Sequence, residues 1–214
     1  MAKQRVTFTA SDGVMVVGDY WLSDSPRAIL LLHMMPSDRS SWKPITEDLW
    51  RLGYKVLAID LRGHGESTRQ GAKTLDYNKF SDAQHQESIK DVSAAVEFLK
   101  SKGAKNFAIV GASIGANLAL TYGIEDSSVK TIVLLSASLD YHGVKTEDAA
   151  AEFNKPMLIV ASDDDDYSAE STQRLSEISQ KSQLKTLHNM GHGTQMFNSA
   201  ELKPLILDWL RENL

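Results

Sequence analysis

AIVGASIGAN, residues 108–117, carries an apolar run into two glycines with one serine, Ser113, midway between them. The pentapeptide Gly111-Ala-Ser-Ile-Gly115 fits the pattern G-x-S-x-G, which demands that a strand reverse into a helix within one residue. A serine at such a bend sits in a strained backbone conformation. Bulky side chains two positions to either side would collide, so glycine is needed at 111 and 115. In return the hydroxyl projects above the end of the strand, beside the first N–H groups of a helix, which have no helical partners and can receive negative charge. Taken alone, the same letters are equally compatible with an ordinary tight turn. The surrounding chain has to decide.

Working outward, apolar strand-like runs alternate with helical patterns. Residues 4–9 and 14–22 alternate with period two around Ser11-Asp12-Gly13, predicting an antiparallel hairpin. Strands are predicted at 28–32, 54–59, 106–110, 129–135, 156–160 and 184–187. The continuous apolar character of 28–32 suits a strand buried on both faces. Helices are predicted at 40–52, closed by Gly53, at 81–102, closed by Gly103, from Ile114 onward, at 169–179 and at 200–214. This alternation predicts an α/β fold with a mostly parallel sheet and helices on both faces. The segment 138–155 accommodates one short helix and is too small for a cap domain. No internal repeat or linker interrupts the chain, so residues 1–214 are expected to form one domain.

Composition narrows the function classes. The formal charge of −5 and the absence of any basic cluster argue against nucleic acid as a partner. No cysteine is present, which removes disulfides, thiolate catalysis and cysteine-based zinc sites. Runs such as AILLL are far too short to span a membrane. The N-terminal MAKQRVTFTASDG lacks the apolar core of a signal peptide. A soluble, cytoplasmic chain without membrane partners is expected.

A serine hydroxyl needs a base to become a nucleophile. Of the six histidines, His192 lies in Met-Gly-His-Gly after the last predicted strand, at the sheet edge where ligand sites gather. His188 sits at the strand end, where packing or capping is expected, and His85 and His142 read as solvated surface residues. His64, in a loop, precedes the serine. The base in turn needs a carboxylate to fix its tautomer. Asp163 to Asp166 form four consecutive aspartates directly after a strand. Such a run also suits a solvated loop or a helix cap, lacks the alternation of a calcium loop, and composition does not separate its members. With an aspartate of this run, the order is Ser…Asp…His.

At this point the chain resembles the α/β-hydrolase superfamily over nearly its whole length, and most closely its small lidless serine hydrolases and esterases. Besides the G-x-S-x-G turn, the resemblance rests on Leu-Leu-His33-Met-Met-Pro, on Ala-Ile-Asp60-Leu-Arg-Gly-His-Gly-Glu-Ser67, and on the segments Pro156-Met-Leu-Ile-Val…Asp165 and Gly-His192-Gly. It implies a mostly parallel sheet of about eight strands with an N-terminal antiparallel hairpin and no cap. It selects Asp165 as the acid beside Ser113 and His192, and implies oxyanion donors at the backbone N–H groups of Met35 and Ile114. Met34 stands where the family commonly has glycine. His33, Asp60, Arg62 and His64 are expected to brace the loops, and Met34 and Trp42 to offer an apolar wall to the substrate. The implied activity is a carboxylesterase for small or short-acyl esters, requiring neither cofactor nor metal. A small-substrate peptidase, amidase or thioesterase, and a catalytically silent binding protein, are the alternatives. Oligomeric state is not encoded in any feature of the chain.

Overall fold

In the computed structural model, which describes residues 3–214, the chain opens with strands β1 (Lys3–Thr9) and β2 (Val14–Trp21). Gly13, at φ 86°, makes the turn between them. Next come β3 (Arg27–Leu32), α1 (Lys43–Arg51), β4 (Lys55–Ile59), the two-residue strands β5 (Arg69–Gln70) and β6 (Lys73–Thr74), α2 (Asp82–Gln86) and α3 (Ile89–Ser101). The second half holds β7 (Asn106–Ala112), α4 (Ile114–Glu125), β8 (Val129–Leu135), the short pair β9 (Asp140–Tyr141) and β10 (Val144–Lys145), and α5 (Glu147–Glu152). It closes with β11 (Met157–Ser162), α6 (Asp166–Ile178), β12 (Ser182–Leu187) and α7 (Leu202–Asn213). No helix among the described residues is long and apolar enough to cross a membrane.

One sheet organises these elements in the order β12-β11-β8-β7-β3-β4-β2-β5-β6, with β1 on β2. Strands β3, β4, β7, β8, β11 and β12 are parallel, while β2 runs antiparallel to β4 and to β1. The eight long strands match the expected number, and β5 with β6 extends the edge. Central β7 is buried on both faces. Phe107 and Ile109 point into the layer under α3, α4, α5 and α6, whereas Ala108, Val110 and Ala112 face the layer under α1 and α7. Chain order crosses the middle of the sheet, so the carboxyl ends of β7, β8 and β11 open side by side at one edge, where a parallel sheet binds ligands.

The expected helix over 81–102 is broken in two. Across Glu87 and Ser88 the hydrogen bonds shorten to a three-residue spacing, with Lys90 N donating to Glu87 O and Asp91 N to Ser88 O. A tightened turn of this kind re-aims the axis. The segment 138–155 holds α5 as expected, preceded by the β9–β10 hairpin. His85 is not a solvated surface residue: it is buried, and its ring stacks with centroids 4.1 Å apart on His142, which stays partly exposed and pairs with Asp82.

Candidate active site

Ser113 stands alone between β7 and α4, at φ 52° and ψ −121°. Its N–H still donates to Leu135 O at 2.8 Å, so the strand ladder holds the chain up to the bend. Its carbonyl then accepts from Ala116 N at 2.8 Å and starts the helix. The two glycines are there for space. A Cβ on Gly111 would strike the backbone of Gly115, and one on Gly115 would strike Leu32 O and lie 2.7 Å from His33 O. Ser113 is 6% exposed, at the head of a helix whose first turns are buried.

His192 follows β12 in a loop whose flanking glycines, Gly191 at φ 72° and Gly193 at φ 56°, take conformations that side chains resist. Its Nδ1 lies 2.6 Å from Asp165 Oδ2 and 3.5 Å from Ser168 Oγ. A Cβ built on Gly193 would fall 3.4 Å from Ala112 Cβ, so the loop passes against the residue preceding Ser113. Ser113 Oγ makes no hydrogen bond to His192 among the described residues. Such bonds commonly tighten only when a substrate is bound.

The aspartate run divides its labour. Asp163 Oδ1 accepts from Asn189 N at 2.9 Å and its Oδ2 pairs with His188 Nδ1 at 2.6 Å. Asp164 Oδ1 accepts from Gly191 N at 3.1 Å and from Ser162 Oγ. Asp165 takes His192. Three successive carboxylates thus hold successive parts of the histidine loop, and Asp166 opens α6. The hydrogen bond from His188 lowers the Asp163 carboxyl below the usual range, and that from Ser162 does the same for Asp164. His188, expected to pack or cap at the strand end, is instead exposed, with Asp163 as its partner.

His33 is fully buried and joins two loops. Its Nε2 accepts from Leu61 N at 3.0 Å, which leaves Nδ1 as the donor to Met34 O at 2.8 Å. Burial holds the ring neutral by pushing its pKa down to about 4. Because a peptide unit is planar, gripping the Met34 carbonyl also sets the direction of the Met35 N–H. Neither the Met35 nor the Ile114 N–H is spent on another hydrogen bond among the described residues. Asp60 accepts from the N–H groups of Arg39 and Glu66, both at 2.8 Å. Arg62 is held between Asp91 and Asp12 at 2.8 and 2.7 Å. His64 stacks on Tyr77 with centroids 3.9 Å apart. All four residues brace the turns behind the site.

Trp42 corrects an expectation. It is completely buried in the layer between the sheet, α1 and α7, edge-on to Phe197 at 5.9 Å, and so forms core rather than a substrate wall. Met34, half-buried, does lie against the histidine loop, its Sδ 3.7 Å from Thr194 Oγ1. Three residues that sequence reasoning passed over also matter. Asn117, fully buried, donates to Val144 O and Ser138 Oγ and accepts from Ser138 N, tying α4 to the β9–β10 hairpin. A polar residue amid the apolar run of α4 was the available signal. Ser162 Oγ accepts from Met190 N at 2.7 Å, and Ser136 Oγ from Gly193 N at 2.9 Å. Small serines at strand ends carry no comparable signal.

Comparisons agree with this architecture. The family model described as alpha/beta hydrolase fold matches residues 27–149. The AB hydrolase superfamily protein YisY of Bacillus subtilis is 29% identical over 114 residues, a match covering 52% of this chain and 38% of that protein. An esterase of Pyrococcus furiosus superposes with a TM-score of 0.78 at 19% identity, covering 98% of this chain and 90% of the other. A predicted CIB-like hydrolase of Thermoplasma acidophilum gives 0.78 at 21% identity, covering 99% of both. With the match spanning more than half of its length and the sheet order described above, the chain belongs to the alpha/beta hydrolase fold family.

Proposed function

We propose that this hydrolase is a serine carboxylesterase in which Ser113 is the nucleophile, His192 the general base and acid, and Asp165 the residue that orients the base. The observation that carries this reading is the Asp165–His192 pair, 2.6 Å apart, on a loop passing beside a serine at φ 52° at the head of a helix. His192 Nε2 takes the Ser113 proton as Oγ attacks the ester carbonyl, and the Nδ1–H stays on the ring, donating to the Asp165 carboxylate, which stabilises the imidazolium. The oxyanion faces the N–H groups of Met35 and Ile114. Collapse expels the alcohol, which leaves with the proton from His192. Water then attacks the acyl-serine, giving its proton to His192, and the acid departs as the serine is restored. All charge that develops is met by groups fixed before reaction, the condition under which such donors are most effective.

Small or short-acyl esters are the proposed substrates. No cap domain covers the sheet edge among the described residues; the β9–β10 hairpin is tied to α4 through Asn117. The test is turnover of p-nitrophenyl acetate, butyrate and palmitate, with butyrylthiocholine as a thioester. We expect acetate and butyrate to be preferred and S113A to abolish their turnover. Faster thioester hydrolysis would reassign the enzyme, and S113A retaining wild-type turnover would refute the mechanism.

A further inference from the structure

Ser136, the first residue after β8, is fully buried and has φ 50°, a left-handed conformation that favours glycine. Serine is not a residue that relieves this conformation, so glycine would be the easier occupant. Strain retained at a buried position points to something the side chain supplies. Here the side chain supplies one contact, the acceptance of the Gly193 N–H at 2.9 Å.

That contact lies at an informative place. The peptide before Ser136 offers Leu135 O to the Ser113 N–H at 2.8 Å, and the Ser136 N–H donates to Val160 O at 2.8 Å. Two adjacent residues therefore touch the serine turn through a backbone carbonyl and the histidine loop through a hydroxyl. The other ties to that loop come from elsewhere. Asp163, Ser162 and Asp164 hold Asn189, Met190 and Gly191 from the β11 side, and Gln195 Oε1 accepts from His192 N at 2.9 Å within the loop itself. The Ser136 hydroxyl is the tie from β8, the strand that also anchors Ser113.

We propose that Ser136 is a positioning residue for the general base, its buried hydroxyl referencing the His192 loop to the same strand end that fixes Ser113. This rests on Ser113 and His192 being nucleophile and base. A displacement of about 1 Å at a reacting pair costs up to about a hundredfold in rate, so loss of the tie is felt in kcat, while the surface that binds substrate is untouched.

Two variants separate this role from a structural one. S136G removes the hydroxyl and releases the backbone strain; S136A removes the hydroxyl and keeps the strain. Both are expected to lose about tenfold to a hundredfold in kcat for p-nitrophenyl butyrate with KM changed by less than about twofold. S136G is expected to melt no lower than S136A. If S136G keeps kcat within about twofold of wild type, or if the loss lies in KM, the proposal is overturned. Labelling by a fluorophosphonate, which needs the activated serine but no particular substrate, keeps the premises apart. Wild type unlabelled at Ser113 removes the hydrolase mechanism and this role with it. Wild type labelled, with S136G labelled as fast, removes the role of Ser136 alone.

Discussion

Asp163, Asp164 and Asp165 are identical side chains in succession, and only their partners separate them. Asp165→Asn disrupts the pairing that fixes the His192 tautomer and is expected to lower kcat by about 10³- to 10⁴-fold. Asp163→Asn breaks an exposed pair with His188 and should change kcat by less than about tenfold. Steady-state rates of the two variants check both; a larger loss at 163 would move the acid. The choice of Asp165 in the sequence needed the family resemblance, because composition gives a run of carboxylates no internal order. The glycines were legible from sterics alone. Gly115→Ala places a methyl against Leu32 O and within 2.7 Å of His33 O, both main-chain atoms with little room to move. A loss of more than about 4 kcal/mol is expected by urea unfolding, far beyond the roughly 1 kcal/mol that alanine gains over glycine in a helix.

At the scale of elements, strands and helices were readable because both faces of the sheet are buried and turn residues punctuate the chain. Boundaries failed where tertiary demands override periodicity. The 81–102 pattern is helical throughout, yet the turn at Glu87 and Ser88 tightens. The β9–β10 hairpin was invisible, its strands having two residues each and its anchor, Asn117, lying on another element. Trp42 was misjudged for a related reason, since one indole among apolar residues suits a pocket wall or a core equally well. Asn117→Ala leaves the Ser138 N–H and Val144 carbonyl without their partner inside the protein. It should cost about 2 to 4 kcal/mol in urea unfolding, and a cost below about 0.5 kcal/mol would mean that the hairpin is held by other contacts.

For the molecule as a whole, buried neutral histidines contribute to the loss of stability in acid. His33, His64 and His85 are pushed from 6.5 to about 4, chiefly by burial, with the neighbouring His33 adding to the effect at His64 and His142 at His85. Their folded-state values lie below the unfolded one, so the unfolded chain binds more protons between these limits. The stabilisation they carry is complete above about pH 6.5 and is lost as pH falls toward 4. Burial raises the Asp60 and Asp91 carboxyls, which acts in the opposite sense, so the histidine part is best isolated by difference. His85→Gln should show a shallower fall in urea midpoint between pH 7 and 5 than wild type; equal slopes would show that His85 takes up no extra proton on unfolding. The central proposal is that Ser113 is a nucleophile activated by His192. Peptide mapping by mass spectrometry after fluorophosphonate treatment tests it most directly. A single adduct is expected on the peptide containing Ser113, absent in S113A and formed far more slowly in H192A. An unmodified Ser113 in the wild-type protein, or labelling at an unchanged rate in H192A, would contradict it.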